Sequence, residues 1–172
     1  SKGKTILVAD TNVQDFPSSE RLVNVSKSCV RVARLFGFDP KVAFLSHSTF
    51  GKPISKNTKH VRDAIQILKN ERVDFDFDGE MQPDVALNPI YQEVYPFSKI
   101  VGNANILIMP ALHSAAISTK LMKVFGGGKL IGPLLIGLGL PIEVAPLRAS
   151  TSEILNLASI ASYSSDIIDY SN

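Results

Sequence analysis

The chain is 172 residues long, 45% of them hydrophobic and 20% charged, with a formal net charge of +2. That length suits one domain able to bury a substantial core, and the composition excludes a disordered polyelectrolyte or a fibrous repeat. Its lysines and arginines are scattered rather than gathered into a tract, so charge makes no case for a nucleic acid or an anionic membrane as partner.

Taken in chain order, the first predicted element is a strand over Lys4 to Ala9, a short apolar run of the kind buried on both faces of a parallel sheet. It begins almost at residue 1, which predicts a piece of a longer protein. After Pro17, Ser18 or Ser19 is placed to cap a helix whose apolar positions Leu22, Val25, Cys29, Val32 and Phe36 recur every three or four residues, with Gly37 as its stop. Val42 to Leu45 reads as a second buried strand, leading into the polar loop from Ser46 to Pro53. Val61, Ile65 and Leu68 mark a helix with Asn57 or Thr58 as cap. Phe75 and Phe77 alternate with Asp74, Asp76 and Asp78, which predicts a strand near a sheet edge, buried on one face and polar on the other. Ile106 to Met109 is another buried strand, Leu112 to Phe125 a helix closed by Gly126, and Ile154 to Ile168 the last helix. Such alternation predicts an α/β fold, a three-layer α/β/α arrangement around a mostly parallel sheet. Ligands then belong at the loops that follow the strands, here 10–16, 46–53, 78–84 and 110–114.

The chemistry available in those loops is modest. Three hydroxyls with Gly51 and Lys52 form a composition able to wrap a phosphate or pyrophosphate, which makes Ser46, Ser48, Thr49 and Lys52 the candidate ligand contacts. Pro53 follows Lys52 and no upstream glycine is present, so this is not a Walker A loop. The glycine triplet 126–128 has no strand before it and reads as a helix end and turn. Asp78, Glu80 and Asp84 are candidates for acid, base or metal ligand. With no histidine or cysteine at ligand spacing, the expectation is structural: carboxylates that accept amide hydrogens near the next helix, and no metal site. His47, His60 and His113 lie far apart in sequence and each reads as a polar or satisfied residue. No G-x-S-x-G occurs, so hydrolase chemistry of that type has no support. Cys29 is the single cysteine, unable to form an intrachain disulfide and expected in the core. The apolar run from Ile131 to Ile142 is interrupted by Gly132, Pro133, Gly137, Gly139 and Pro141, too short and broken for a bilayer. No secretory signal is visible, so a cytoplasmic location is expected.

Six separated motifs in one order carry a resemblance. They are Val8-Ala9-Asp10, Ser46-x-Ser48-Thr49, Asp78-Gly79-Glu80-Met81-Gln82, Gly102-x-Ala104-Asn105-Ile106-Leu107, Ile131-Gly132-Pro133 and Asn156-Leu157-Ala158. Together they resemble the C-terminal half of the phosphate acetyl/butyryltransferase family, and more narrowly the degenerate copy of that domain at the C-terminal end of bacterial NADP-dependent malic enzymes. The segment from Asn88-Pro89 to Tyr95-Pro96-Phe97-Ser98-Lys99 matches the malic enzyme subgroup better than the transferases.

The resemblance implies a phosphotransacetylase-like fold, related to the isocitrate and isopropylmalate dehydrogenases, with residues 1–172 as the C-terminal part of such a domain in a longer multidomain enzyme. Active transferases of the family carry a Ser-Arg pair after a Pro-Val or Pro-Ile strand and an aspartate a few residues on, which acts as base toward the coenzyme A thiol. Here the strand is Pro141-Ile142-Glu143-Val144, the pair falls on Pro146-Leu147, and the base position falls near Glu153. Arg148 lies one place along, where a strand would turn its side chain to the other face. Losing transition-state donors costs about 3 kcal/mol apiece, so the resemblance implies no catalytic residues in this chain. It implies a regulatory and self-associating domain, with acetyl-CoA as effector, upstream malic enzyme domains in the same chain, and NADP and Mg or Mn held by those domains. The rival reading is an active phosphate acetyltransferase, with Glu153 as base and the 46–52 loop as coenzyme site.

Overall fold

The computed structural model describes residues 4–9, 14–126, 129–138 and 140–167. Asp10 of the first strand-end loop, Gly127 and Gly128 of the triplet, Gly139 and Ile168 lie outside the described residues. Four strands, β1 (Leu7–Ala9), β2 (Lys41–Leu45), β3 (Asp76–Met81) and β4 (Ile106–Ile108), form a parallel sheet in the order β1-β4-β2-β3. Parallel neighbours need crossover connections. α1 (Ser19–Leu35) joins β1 to β2, α2 (Lys59–Glu71) joins β2 to β3, and the short α3 (Pro83–Leu87) and α4 (Pro89–Gln92) lie between β3 and β4. α5 (Leu112–Phe125) and α6 (Thr151–Ile167) follow.

Side chains alternate across the strands and so build two cores. Val42, Phe44, Ile106 and Ile108 pack with Leu22, Cys29 and Val30 of α1 and with Val61, Ile65 and Leu68 of α2. Ala43, Leu45, Leu107 and Met109 pack with Val85 and Ala86 of α3, Ile100, Ala104 and Ala115. The sheet is covered on both faces, as expected for an α/β fold of three layers, and Cys29 is a buried core thiol. Ser18 caps α1, accepting from the Arg21 N–H at 3.2 Å. At the other end Gly37, at φ 77°, donates to Arg34 while Phe38 donates to Ala33, the pairing that closes a helix on a left-handed residue.

Several elements differ from expectation for identifiable reasons. Thr58 does hold the position before α2, but it ends a 3-10 turn, Lys56–Thr58, and makes no side-chain cap. Its hydroxyl bonds Ser55 and Arg62 instead. β3 is the edge strand, and Asp76 at its start is exposed as the alternation predicts, but Asp78 and Glu80 further along are both buried, and Phe75 lies ahead of the strand. α3 and α4 were hidden by their brevity and by the prolines that open them, residues the first helical turn tolerates. α6 starts at Thr151, three residues before Ile154.

The chain divides into two compact units, one ending at Ile117 and one starting at Ser118. In the second, Pro141 to Val144, expected as a strand, contributes one isolated antiparallel bridge between Leu134 and Glu143. Among the described residues of that unit, Leu157 is the one buried hydrophobic side chain. Also among the described residues, no helix is long and apolar enough to cross a membrane.

Candidate functional site

The loop after β2 is a tight hairpin. Thr49 and Lys52 exchange backbone hydrogen bonds of 3.0 and 3.1 Å around Phe50 and Gly51, whose φ values are 47° and 82°. Two left-handed residues in succession define a type I′ turn, for which asparagine and glycine are the usual choices. A phenylalanine there is a conformational outlier. It is held by its N–H, which donates to the Glu80 carbonyl at 2.7 Å, and by ring contacts with Tyr95 and Phe97.

Beneath the hairpin lies a buried polar network. The Glu80 side chain has no solvent exposure. Ser48 Oγ donates to Glu80 Oε1 at 2.6 Å, and the Arg62 guanidinium approaches both carboxylate oxygens at 3.1 Å. Arg62 also donates to Thr58 Oγ1 at 2.5 Å and to the Ser55 carbonyl at 2.9 Å. Ser46 Oγ sits 3.1 Å from Ser48 Oγ and accepts from the Ser48 N–H. Thr49 Oγ1 accepts from the Gln82 N–H at 3.2 Å. A buried charge in this setting is stable only when paired and fully hydrogen-bonded, and this one is. The network ties the hairpin, the 55–58 turn, α2 and β3 into one rigid corner.

Of the four candidate ligand contacts, the structure brings Ser46, Ser48 and Thr49 together but buries them, with their hydroxyls engaged by the protein itself. Lys52 alone stays exposed, and its ammonium has no hydrogen bond or ion pair among the described residues. The signal missing from the sequence was their partner: Glu80 and Arg62 lie 32 and 14 residues beyond Ser48.

The carboxylates act as brackets. Asp78 accepts from the N–H groups of Gly79 and Lys99 at 2.9 and 2.8 Å, and Asp84 from that of Val85 at 3.0 Å. Among the described residues no group of three histidine, cysteine or acidic side chains assembles to hold a metal ion. Gly79 sits at φ 145°, and a Cβ there would lie 2.7 Å from the Phe44 carbonyl oxygen, so only glycine fits between β2 and β3. His60 Nε2 pairs with the Pro110 carbonyl at 2.9 Å, tying α2 to the loop after β4, while His47 and His113 are exposed.

The positions matched to the family's Ser-Arg pair and base lie in the second unit. Pro146 and Leu147 form a turn, with the Ala149 N–H donating to the Pro146 carbonyl and the Leu147 side chain fully exposed. Glu153 caps α6: its Oε2 accepts from the Ser150 N–H at 2.8 Å and from the Ser150 hydroxyl at 2.9 Å, while the Glu153 N–H donates back to Ser150 Oγ. This reciprocal pair is a capping box, and its Ser-x-x-Glu signature was present in the sequence. The Ser150 backbone N–H, then its hydroxyl, hold the Glu153 carboxyl below its ordinary range. That direction favours the carboxylate and weakens it as a proton acceptor.

Comparison with known proteins agrees with this architecture. Residues 1–162 match the family described as phosphate acetyl/butaryl transferase. The chain is 48% identical to an NADP-dependent malic enzyme of Rhizobium meliloti (strain 1021), covering 94% of this chain and 21% of that protein. It is 33% identical to the phosphate acetyltransferase of Bacillus subtilis (strain 168), covering 88% of this chain and 47% of that one. A phosphotransacetylase structure from Streptococcus pyogenes superimposes with a TM-score of 0.89 at 30% identity, covering 95% of this chain and 50% of that chain. The chain therefore spans about a fifth of its malic enzyme relatives and about half of the transferases. With residues 1–162 matched by the family's model and the solved phosphotransacetylase superimposing over nearly the whole chain, this chain belongs to the phosphate acetyl/butaryl transferase family.

Proposed function

We propose that this chain is a regulatory and assembly domain of an NADP-dependent malic enzyme, lacking transferase chemistry and responsive to acetyl-CoA. The observation that carries this reading is the site where transfer would occur. Pro146 and Leu147 have no side-chain donor for an acyl oxygen or a phosphate, and Glu153 is engaged as a helix cap with its carboxyl held low. High identity to malic enzymes over nearly the whole chain supports the same reading.

The parent chain would oxidatively decarboxylate malate to pyruvate with NADP and a divalent metal in its other domains, and this domain would sit at the C-terminal end. An effector bound here alters a distant site only by its differential affinity for two states of the assembly. The exposed apolar side chains of the second unit support a role in self-association or in packing against the rest of the longer protein. The test is NADPH formation from malate by the longer chain. Acetyl-CoA should inhibit it, and deletion of this domain should abolish the inhibition while leaving turnover; inhibition that survives deletion would place the effector site elsewhere.

A further inference from the structure

We infer that the segment from Asn88 to Val101 is a docking strap, an apolar surface of the first unit that seats the malic enzyme domains of the same longer chain. This rests on the regulatory reading above, and it names the surface through which the domain would be joined to the body it regulates.

Exposure marks the segment. Ile90, Val94, Phe97 and Val101 are each at least 65% exposed, and Tyr91 is 46% exposed. Among the described residues, the other exposed large apolar side chains of the first unit are Ile6, Phe16, Phe38, Ile54 and Ile117, so half of them fall within one short connection. Apolar side chains scattered singly over a surface need no explanation, but a cluster marks an interaction site. Between Asn88 and Val101 only Glu93 and Lys99 are charged, so the segment has no net charge to draw an anionic lipid surface or a phosphate. Aromatic and aliphatic side chains with little charge are the make-up of a protein interface core.

The segment is also held still. Asn88 Oδ1 accepts from the Ile90 N–H at 3.1 Å, and the N–H groups of Tyr91 and Val94 donate to the carbonyls of Asn88 and Tyr91. That helical turn sets Ile90 and Val94, four residues apart, on the same side. Further along, the Lys99 N–H donates to the buried Asp78 carboxylate at 2.8 Å, and Ile100 is buried in the core with Val85 and Ala86. Between these fixings Tyr95 and Phe97 meet the Phe50 ring, with centroids 5.3 and 4.9 Å away. A surface already rigid loses little conformational freedom on binding, which favours affinity.

Two facts choose the occupant. This chain is about a fifth of its malic enzyme relative but about half of the transferase, so the malic enzyme carries far more chain beyond the shared domain. By its sequence the strap resembles the malic enzymes more than the transferases. A surface proper to the longer relatives fits the additional chain that they carry, rather than a second copy of the domain that both possess.

A benzophenone side chain placed at Val94 of the longer chain tests this. After irradiation and digestion, mass spectrometry should find it joined to peptides outside residues 1–172. Ile90→Asp should lower that yield at least tenfold without shifting the thermal unfolding midpoint. Joining to peptides within residues 1–172 would assign the strap to a second copy and overturn the proposal. So would an unchanged yield in Ile90→Asp, or a yield no greater than that of the same probe at Asn70, which is exposed on α2. NADPH formation from malate and its inhibition by acetyl-CoA, measured on the same sample, judge the regulatory reading separately from the cross-links.

Discussion

Up to Ile117 the large apolar side chains are mostly sealed between sheet and helices, whereas after Ser118 Leu121, Val124, Phe125, Leu140, Val144 and Leu155 are all at least half exposed. Polar groups show the reverse contrast. The first unit buries Glu80 and Asp78 in satisfied networks, while Glu153 of the second works at the surface. α1 and α2 carry one apolar stripe each, but α5 shows apolar residues around much of its circumference, as helices covered on several sides do. The difference teaches that one unit is stabilised by its own core, while the described part of the other leaves many large apolar side chains exposed.

Substitutions sharpen that contrast, and the largest effect belongs to the first core. Phe44→Ala removes a fully buried ring on the sheet and should lower stability by about 3 to 5 kcal/mol in denaturant titration. Arg62→Ala leaves the Glu80 carboxylate buried beside Ser48 alone and should cost about 3 kcal/mol. Adding Glu80→Gln to that variant should restore part of the loss, since the uncompensated charge is then gone. Gly79→Ala drives a methyl to within 2.7 Å of the Phe44 carbonyl oxygen at a φ that side chains avoid, and should cost about 2 kcal/mol.

In the second unit, Leu121→Ser with Phe125→Ser should change stability by no more than about 0.5 kcal/mol each while reducing the sedimentation coefficient of any oligomer. A large loss of stability without a change in association would break the comparison.

The smallest effects are those of pH. Glu153 has its folded pKa lowered from 4.5, so its contribution to α6 is fully present above pH 4.5 and disappears as pH falls through the lowered value. Burial moves Glu143 the other way, and the Leu135 N–H it accepts only partly offsets this. Its contribution is complete below pH 4.5 and is lost as pH rises through the raised value. Circular dichroism of Glu153→Gln should show no acid-dependent change in α6, and Glu143→Gln should flatten the opposite trend.

Much of the fold was legible in the sequence because periodicity and breakers are local. α5 runs from Leu112 to Phe125 as the pattern predicts, and Ser18 and Gly37 close α1 as capping rules require. What was not legible depended on distant partners. Asp78 looked like part of the polar face of an edge strand with Asp74 and Asp76, and the distant Lys99 N–H makes its burial tolerable, as Ser48 and Arg62 do for Glu80. The same network engages the hydroxyls of Ser46 and Ser48 within the protein, which their composition alone did not show. Pro141 to Val144 has a strand's sequence but a single bridge, since a strand needs a neighbour to pair with. Glu153 was the reverse case, part of a capping box with Ser150 that the local sequence alone makes readable.

The most direct measurement is calorimetric titration of this chain with acetyl-CoA, run beside an assay of acetyl transfer between acetyl phosphate and coenzyme A. Saturable binding with no acetyl-CoA formed is the predicted result. Turnover above the uncatalysed rate would contradict the account, which assigns no catalytic role to Pro146, Leu147 or the capped Glu153.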